Sequence, residues 1–198
     1  MAEGKKKINW TAELISLAIV LAAVTVARSS LADHYYVPSG SMEYSLMPGD
    51  RVIVDKTAYG VRIPLTKIDM FGAATPRRGD IAVFDSPRDG TRLIKRIVAI
   101  GGDSVSLVNG QLTINGQSLG DRQVEHFGDR NALLDMDDGG GPDIKDMQVP
   151  PGKVLAIGDH RGNSLDGRFW GLIDERELFG RAIAIYYRSG DGFVWKTL

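Results

Sequence analysis

Fourteen consecutive residues without a charge, Leu14 to Ala27 ("LISLAIVLAAVTVA"), constrain this chain more than any other feature. The bare run would span roughly 21 Å as a helix, short of a ~30 Å hydrocarbon core. Extended from Ile8 to Ala32 it is long enough, provided that Glu13 and Arg28 snorkel to the interfaces and Trp10 anchors one of them. A rival reading is a cleavable leader. In that reading Lys5, Lys6 and Lys7 precede the apolar run, and Ser30-Leu31-Ala32 supplies a small-x-small cut site. Both readings leave the lysines in the cytoplasm and the rest of the chain outside it.

Composition narrows the partners. Net charge is −1 and Lys5–Lys7 is the sole basic run, so nucleic acid is not an expected partner. The chain has no cysteine, which excludes disulfides, thiolate metal sites and a cysteine nucleophile. With 43% hydrophobic residues it can form a packed core.

Beyond residue 33, short strand signals replace the helical period. Strands are expected at 50–59, 79–86, 91–100, 152–159 and 180–188. Two more should be joined through Asn109-Gly110, a strong hairpin signal between alternating apolar residues. A short helix fits 174–179. Residues 120–150 are polar and loop-rich, so 103–150 is expected to form a smaller hairpin-and-loop lobe on the main body. No repeated β-α-β alternation occurs, which argues against a doubly wound parallel sheet. The expected fold is mainly β and antiparallel, with residues 1–32 as cytoplasmic N-terminus and transmembrane helix, and 33–198 as the outer domain.

"VPSGSMEYSLMPGD" (37–50) places Ser39 and Ser41 on a turn just past the apolar segment. A serine nucleophile needs a proton acceptor within hydrogen-bond reach. The histidines are His34, His126 and His160. Only His160 has an adjacent carboxylate, Asp159, and neighbouring side chains point apart, so a Ser-His-Asp triad is disfavoured. A neutral lysine is the other solution. Its pKa must fall about 3 units, at ~4 kcal/mol, which burial among apolar groups can do. "RLIKRIVAI" supplies such a residue: Leu93, Lys95, Ile97 and Ala99 share one face by period-two alternation. Lys56 and Lys67 stand in more polar settings.

"VPSGSMEYSLMPGD", "RGDIAVF" (78–84), "RLIKRIVAIGGD" (92–103) and "GDHRGNSLDGRFWG" (158–171) follow one another after the apolar segment. This ordered set resembles the type I signal peptidases, membrane-anchored proteases with a Ser/Lys dyad, and the likeness covers most of residues 28–187. The resemblance implies Ser41 as nucleophile and Lys95 as general base. It further implies an oxyanion hole from the Ser39 hydroxyl and the Ser41 backbone N–H, and Ser164 as the group that orients the lysine amine. Asp159 with Arg96, and Asp166 with Arg168, would brace the site as ion pairs. Tyr44 and Ser45 stand where the family usually has Pro-Thr, and His160, Gly162 and Gly167 also depart from its pattern. Val37, Met42, Leu46, Leu93 and Ile94 are candidate pocket walls, or simply core.

The implied activity is removal of signal peptides from exported preproteins after small-x-small sites, at the cell membrane, with exported preproteins and the lipid bilayer as partners. No cofactor and no metal is expected. "DMDDGGGPDIKD" (135–146) mimics a calcium loop, but its fifth position is Gly139 and its twelfth Asp146 rather than Glu. Arg78-Gly79-Asp80 reads as a turn into a strand. Phe193, Val194 and Trp195 fit lipid contact or core equally. Two other functions remain open: a dedicated maturation peptidase for a pilin or conjugation protein, and a catalytically silent membrane-tethered scaffold, which an intact Ser41 and Lys95 disfavour.

Overall fold

The computed structural model describes residues 10–62, 69–71 and 74–198. Lys5–Lys7, Ile8 and Lys67 lie outside these. Helix α1 (Trp10–Leu31) covers the apolar run. Its large side chains Trp10, Leu14, Ile15, Leu17, Ile19, Val20 and Leu21 are all exposed. Among the described residues no helix is long and apolar enough to cross a membrane.

Without a linker, α1 gives way to β1 (Ala32–Tyr36), followed by β2 (Arg51–Asp55) and the short pair β3 (Val61–Arg62) and β4 (Asp69–Phe71). Next come β5 (Ile81–Asp85), β6 (Arg92–Ile100), β7 (Ser104–Val108), β8 (Gln111–Ile114) and β9 (Gln117–Ser118). Then follow β10 (Val124–Phe127), β11 (Arg130–Leu133), β12 (Ile144–Gln148) and β13 (Lys153–Ile157). A one-turn helix α2 (Gly167–Trp170), β14 (Ile173–Asp174), β15 (Leu178–Arg188) and β16 (Gly192–Thr197) complete the chain. The main sheet runs β1-β2-β15-β5-β6-β13-β14, with β16 also on β15, and all its pairings are antiparallel. The expected mainly β, antiparallel class holds.

Several boundaries differ from expectation for identifiable reasons. The strand expected over 50–59 stops at Asp55, because the Asp55 carboxylate accepts from the Thr57 N–H (2.9 Å) and hydroxyl (2.7 Å) and turns the chain. The helix expected at 174–179 is one 3₁₀ turn, Glu175–Glu177, capped by the Asp174 side chain. The loop-rich stretch 120–150 carries β10, β11 and β12. Its Phe127, Ala132, Leu134, Ile144 and Val149 are buried in one cluster with Val98, Leu107 and Leu155, so this lobe is packed onto the main body. Strand β12 pairs with β7 at the edge of a four-stranded sheet, β12-β7-β8-β9. The Asn109-Gly110 turn has positive φ at both residues (51° and 78°), as the tight hairpin predicts.

Strand β6 lies between β5 and β13 in the middle of the sheet. Lys95 pairs with Ala82 and Arg96 with Ile81 on one side, and Arg96 with Ile157 on the other. The register on β13 shifts between Leu155 and Ala156. One extra β6 residue there reverses the alternation. Leu93 and Ile97 therefore pack with Ala82, Phe84 and Ala156, whereas Ala99, expected on the same face, joins the cluster of the smaller lobe.

Candidate active site

Three segments converge on the Lys95 face of β6. The first is the turn after β1. Val37 and Asp50 close it, with the Val37 N–H on the Asp50 carbonyl (2.9 Å) and the Gly49 N–H on the Val37 carbonyl (2.9 Å). Asp50 is in turn gripped by Arg188 through two bonds of 2.9 and 2.7 Å, which ties the turn to the end of β15. Met42 and Leu46 sink into the core at 0% exposure and fix the turn from below. Ser41 is thereby held half-buried above β6.

The second segment is β6 itself. Lys95 is 3% exposed, and its Nζ is hydrogen-bonded to Ser41 Oγ across 54 residues of sequence. Burial lowers the lysine pKa from its ordinary value to about 8, against the opposing pull of Asp166 and Asp159. That fall corresponds to about 3 kcal/mol in favour of the neutral amine. Neither carboxylate bonds the amine, because each is already committed to an arginine. Ser39 Oγ lies 3.4 Å from Ser41 Oγ on the exposed side of the turn.

The third segment is the loop after β13, "GDHRGNSLDGR". The His160 N–H donates to the Ser41 carbonyl (3.2 Å), and so fastens this loop to the nucleophile's own backbone. Asp159 receives Arg96 Nε at 2.9 Å and Nη2 at 2.7 Å, while Arg96 also reaches the Gly79 carbonyl (2.8 Å) and Ser45 Oγ (2.9 Å). Asp166 takes Arg168 Nε and Nη2, both at 2.8 Å, and the Gly158 N–H at 3.0 Å. Burial raises the Asp166 carboxyl, yet Arg168 and the Gly158 N–H hold it below the ordinary range. Gly158 sits where chain segments nearly touch: a Cβ there would collide with Ser164 Oγ and the Ser41 carbonyl.

Both ion pairs expected from the sequence form, and Ser41, Lys95 and Ser39 come together. Ser164 is buried, its Oγ packed against Gly158 where the Ser41 carbonyl also approaches. Val37, Met42 and Leu46 are wholly packed in the core, whereas Leu93 and Ile94 are half-buried on opposite faces of β6. His160 does not face Asp159, as adjacency had argued; its ring meets Glu43 instead. No sequence signal pointed to Ser45 as a partner of Arg96 or to Glu43 as a partner of His160, because these pairs are 51 and 117 residues apart. Asp146 lies on β12 against Ser106, so the calcium-like spacing at 135–146 does not close into a loop around one centre.

A hydroxyl against a buried, deprotonatable amine is a chemically competent nucleophile–base pair. The family model for signal peptidase, peptidase S26, matches residues 8–187. This chain belongs to that family. It is 31% identical over 195 residues to signal peptidase I of Pseudomonas aeruginosa, covering 84% of this chain and 69% of that one. It is 29% identical to the Haemophilus influenzae signal peptidase I over 253 residues, covering 93% and 72%. With that of Leptolyngbya laminosa it shares 32% over 181 residues, covering 87% and 76%. A crystal structure of a signal peptidase I from Enterococcus faecalis aligns with 56% of this chain and 98% of its own at 28% identity, with a TM-score of 0.41.

Proposed function

We propose that Ser41 is the nucleophile and Lys95 the general base of a serine endopeptidase that removes N-terminal signal peptides from exported preproteins. The observation that carries this reading is the Lys95 amine, buried without a carboxylate partner and bonded to Ser41 Oγ. Neutral Lys95 takes the Ser41 proton as Oγ attacks the scissile carbonyl. The Ser39 hydroxyl and the Ser41 N–H receive the oxyanion, a contribution of ~3–4 kcal/mol for well-aimed donors. The ammonium then protonates the leaving amine, and Lys95 activates water to release the acyl group. Ser164, whose hydroxyl packs against Gly158 beside the Ser41 carbonyl, orients the amine once substrate displaces the resting contact. Cleavage follows small residues at the first and third positions before the bond. Leu93 and Ile94 line the shallow pockets, backed by Val37, Met42 and Leu46.

In the same reading α1 is a single-pass anchor. Its exposed apolar side chains support this, as does the position of Ser41 ten residues past Leu31. The domain from residue 33 onward then lies on the extracytoplasmic side. Holding enzyme and signal peptide in one bilayer raises their effective concentration and restricts their approach. The deciding experiment incubates full-length protein in detergent with a preprotein carrying Ala at both specificity positions and maps the products by mass spectrometry. Cleavage at that bond by wild type and none by Ser41→Ala is expected. Cleavage of one dedicated substrate alone, or binding without cleavage, would overturn the assignment.

A further inference from the structure

The buried carboxylates of the described residues follow one rule, with a single exception. Asp50 pairs with Arg188, Asp80 with Arg130, Asp103 with Arg78, Glu125 with Arg161, Asp159 with Arg96 and Asp166 with Arg168. Asp135 is equally buried, at 5% exposure, and forms no ion pair with lysine or arginine among the described residues. What faces it is His160, itself 5% exposed, and beyond the ring Glu43. His160 Nδ1 lies 2.9 Å from Glu43 Oε2 and 3.7 Å from Asp135 Oδ2, and Nε2 lies 3.2 Å from Asp138 Oδ2 without forming a hydrogen bond. Three carboxylates thus surround one imidazole, so even a protonated ring leaves two negative charges unmatched.

We infer that Glu43, Asp135 and His160 form a binding site for a first-row divalent cation of the zinc class. Mixed imidazole and carboxylate donors favour such an ion over calcium or magnesium. Tetrahedral bonds of ~2.0 Å separate ligand atoms by about 3.3 Å; His160 Nδ1 lies 2.9 and 3.7 Å from the two carboxylates, and the three donor atoms lie within 4.8 Å of one another, so the carboxylates would draw together on the ion. With Nδ1 on the metal, Nε2 carries the proton and has the Asp138 carboxylate in reach, the outer-shell partner that metal-bound histidines usually have. Asp135 is pre-oriented, since its Oδ1 accepts the Asp137 N–H at 2.9 Å and leaves Oδ2 toward the ring. Two residues of the loop after β13 build the site together. His160 supplies the ligand, and Gly162 admits the Asp138 backbone, which a Cβ would strike. The ion would clamp Glu43, two residues beyond Ser41, to a residue whose N–H already holds the Ser41 carbonyl.

The test uses the untagged full chain in detergent, stripped with EDTA and titrated with ZnCl₂ by calorimetry, and separately loaded with CoCl₂ for visible absorption. One equivalent of Zn²⁺ and a cobalt d–d band are expected in wild type. His160→Asn and Asp135→Asn should each weaken Zn²⁺ binding at least tenfold, while Ser41→Ala, inactive by the peptidase reading, should bind zinc as wild type does. Thermal unfolding monitors the fold of His160→Asn. The cobalt band in wild type needs no variant. No zinc uptake and no band, or uptake indifferent to both substitutions, would overturn the site.

Discussion

Lys95 and Arg96 are consecutive on β6, equally buried, and opposite in fate. Arg96 receives the Asp159 carboxylate through two bonds and a carbonyl and a hydroxyl besides, and although burial opposes it, Asp159 raises its pKa. Among the described residues Lys95 forms no ion pair and bonds the Ser41 hydroxyl, and burial lowers its pKa to about 8. Desolvation is common to both; the partner decides the outcome. A buried cation matched by a carboxylate holds structure, and one left unmatched can lose its proton and, in the proposed mechanism, serve as a base. The carboxylates that might have matched Lys95, Asp159 and Asp166, are occupied by Arg96 and Arg168. The bracing ion pairs therefore leave neither carboxylate bonded to the amine, although the field of both still opposes the fall in its pKa.

The sharpest way to break this contrast is to exchange the fates of the two residues. Lys95→Ala should lower preprotein cleavage by at least about 10⁴-fold, the scale seen when one member of a nucleophile–base unit is lost, with thermal unfolding unimpaired. Arg96→Met should act through stability. It strands Asp159 in a buried site, a loss of roughly 3–5 kcal/mol that a denaturant titration would register. A smaller but still selective effect is expected of Ser39→Ala: a ~10²–10³-fold fall in kcat with KM little changed, as for loss of one oxyanion donor. If Ser39→Ala moved KM instead, the hydroxyl would be binding substrate rather than the transition state.

The contrast was partly legible beforehand. The resemblance of four ordered motifs to the signal peptidases implied Ser41 and Lys95 as a pair and the Asp159/Arg96 and Asp166/Arg168 ion pairs, and these contacts form. Nearly continuous apolar runs revealed β5, β6 and β13, and alternation revealed β15, the strands whose burial leaves little freedom of composition. It failed where strands are half-exposed. Ala32–Tyr36 and Gly192–Thr197 alternate weakly because one face remains open, and 120–150 hides its strands among polar residues. The register shift at Leu155/Ala156, which moves Ala99 off the lysine face, is a property of two strands together and of neither alone. The cluster of Glu43, Asp135 and His160 was likewise invisible, since its members meet only through the fold.

The pH dependence sharpens the comparison further. Only neutral Lys95 can act as base, so kcat/KM should climb with pH and level off above about 8. Between pH 8 and pH 6 the neutral fraction falls from one half to about one hundredth, so activity should fall roughly 50-fold. A profile flat across that window would mean that the amine is not the group losing its proton.

The smallest effect expected has the opposite sign from ordinary damage. Folded Lys95 titrates at about 8 rather than 10.5. In the window between those values the unfolded chain binds more protons, so stability rises with pH there; below pH 8 the full cost of burying the ammonium is present, and above about 10.5 it is gone. Lys95→Met keeps the length and the apolar stem while removing that cost. It should therefore stabilise the protein at pH 7 by about 1–3 kcal/mol, a rise of roughly 2–10 °C in Tm, even as cleavage is abolished. Repeating the unfolding near pH 10.5 should shrink the gain toward zero. Arg96→Met, made one position along the same strand, should lose stability at both pH values. If Lys95→Met also lost stability at pH 7, the amine would be matched by a counter-charge after all, and the distinction between the two residues would vanish.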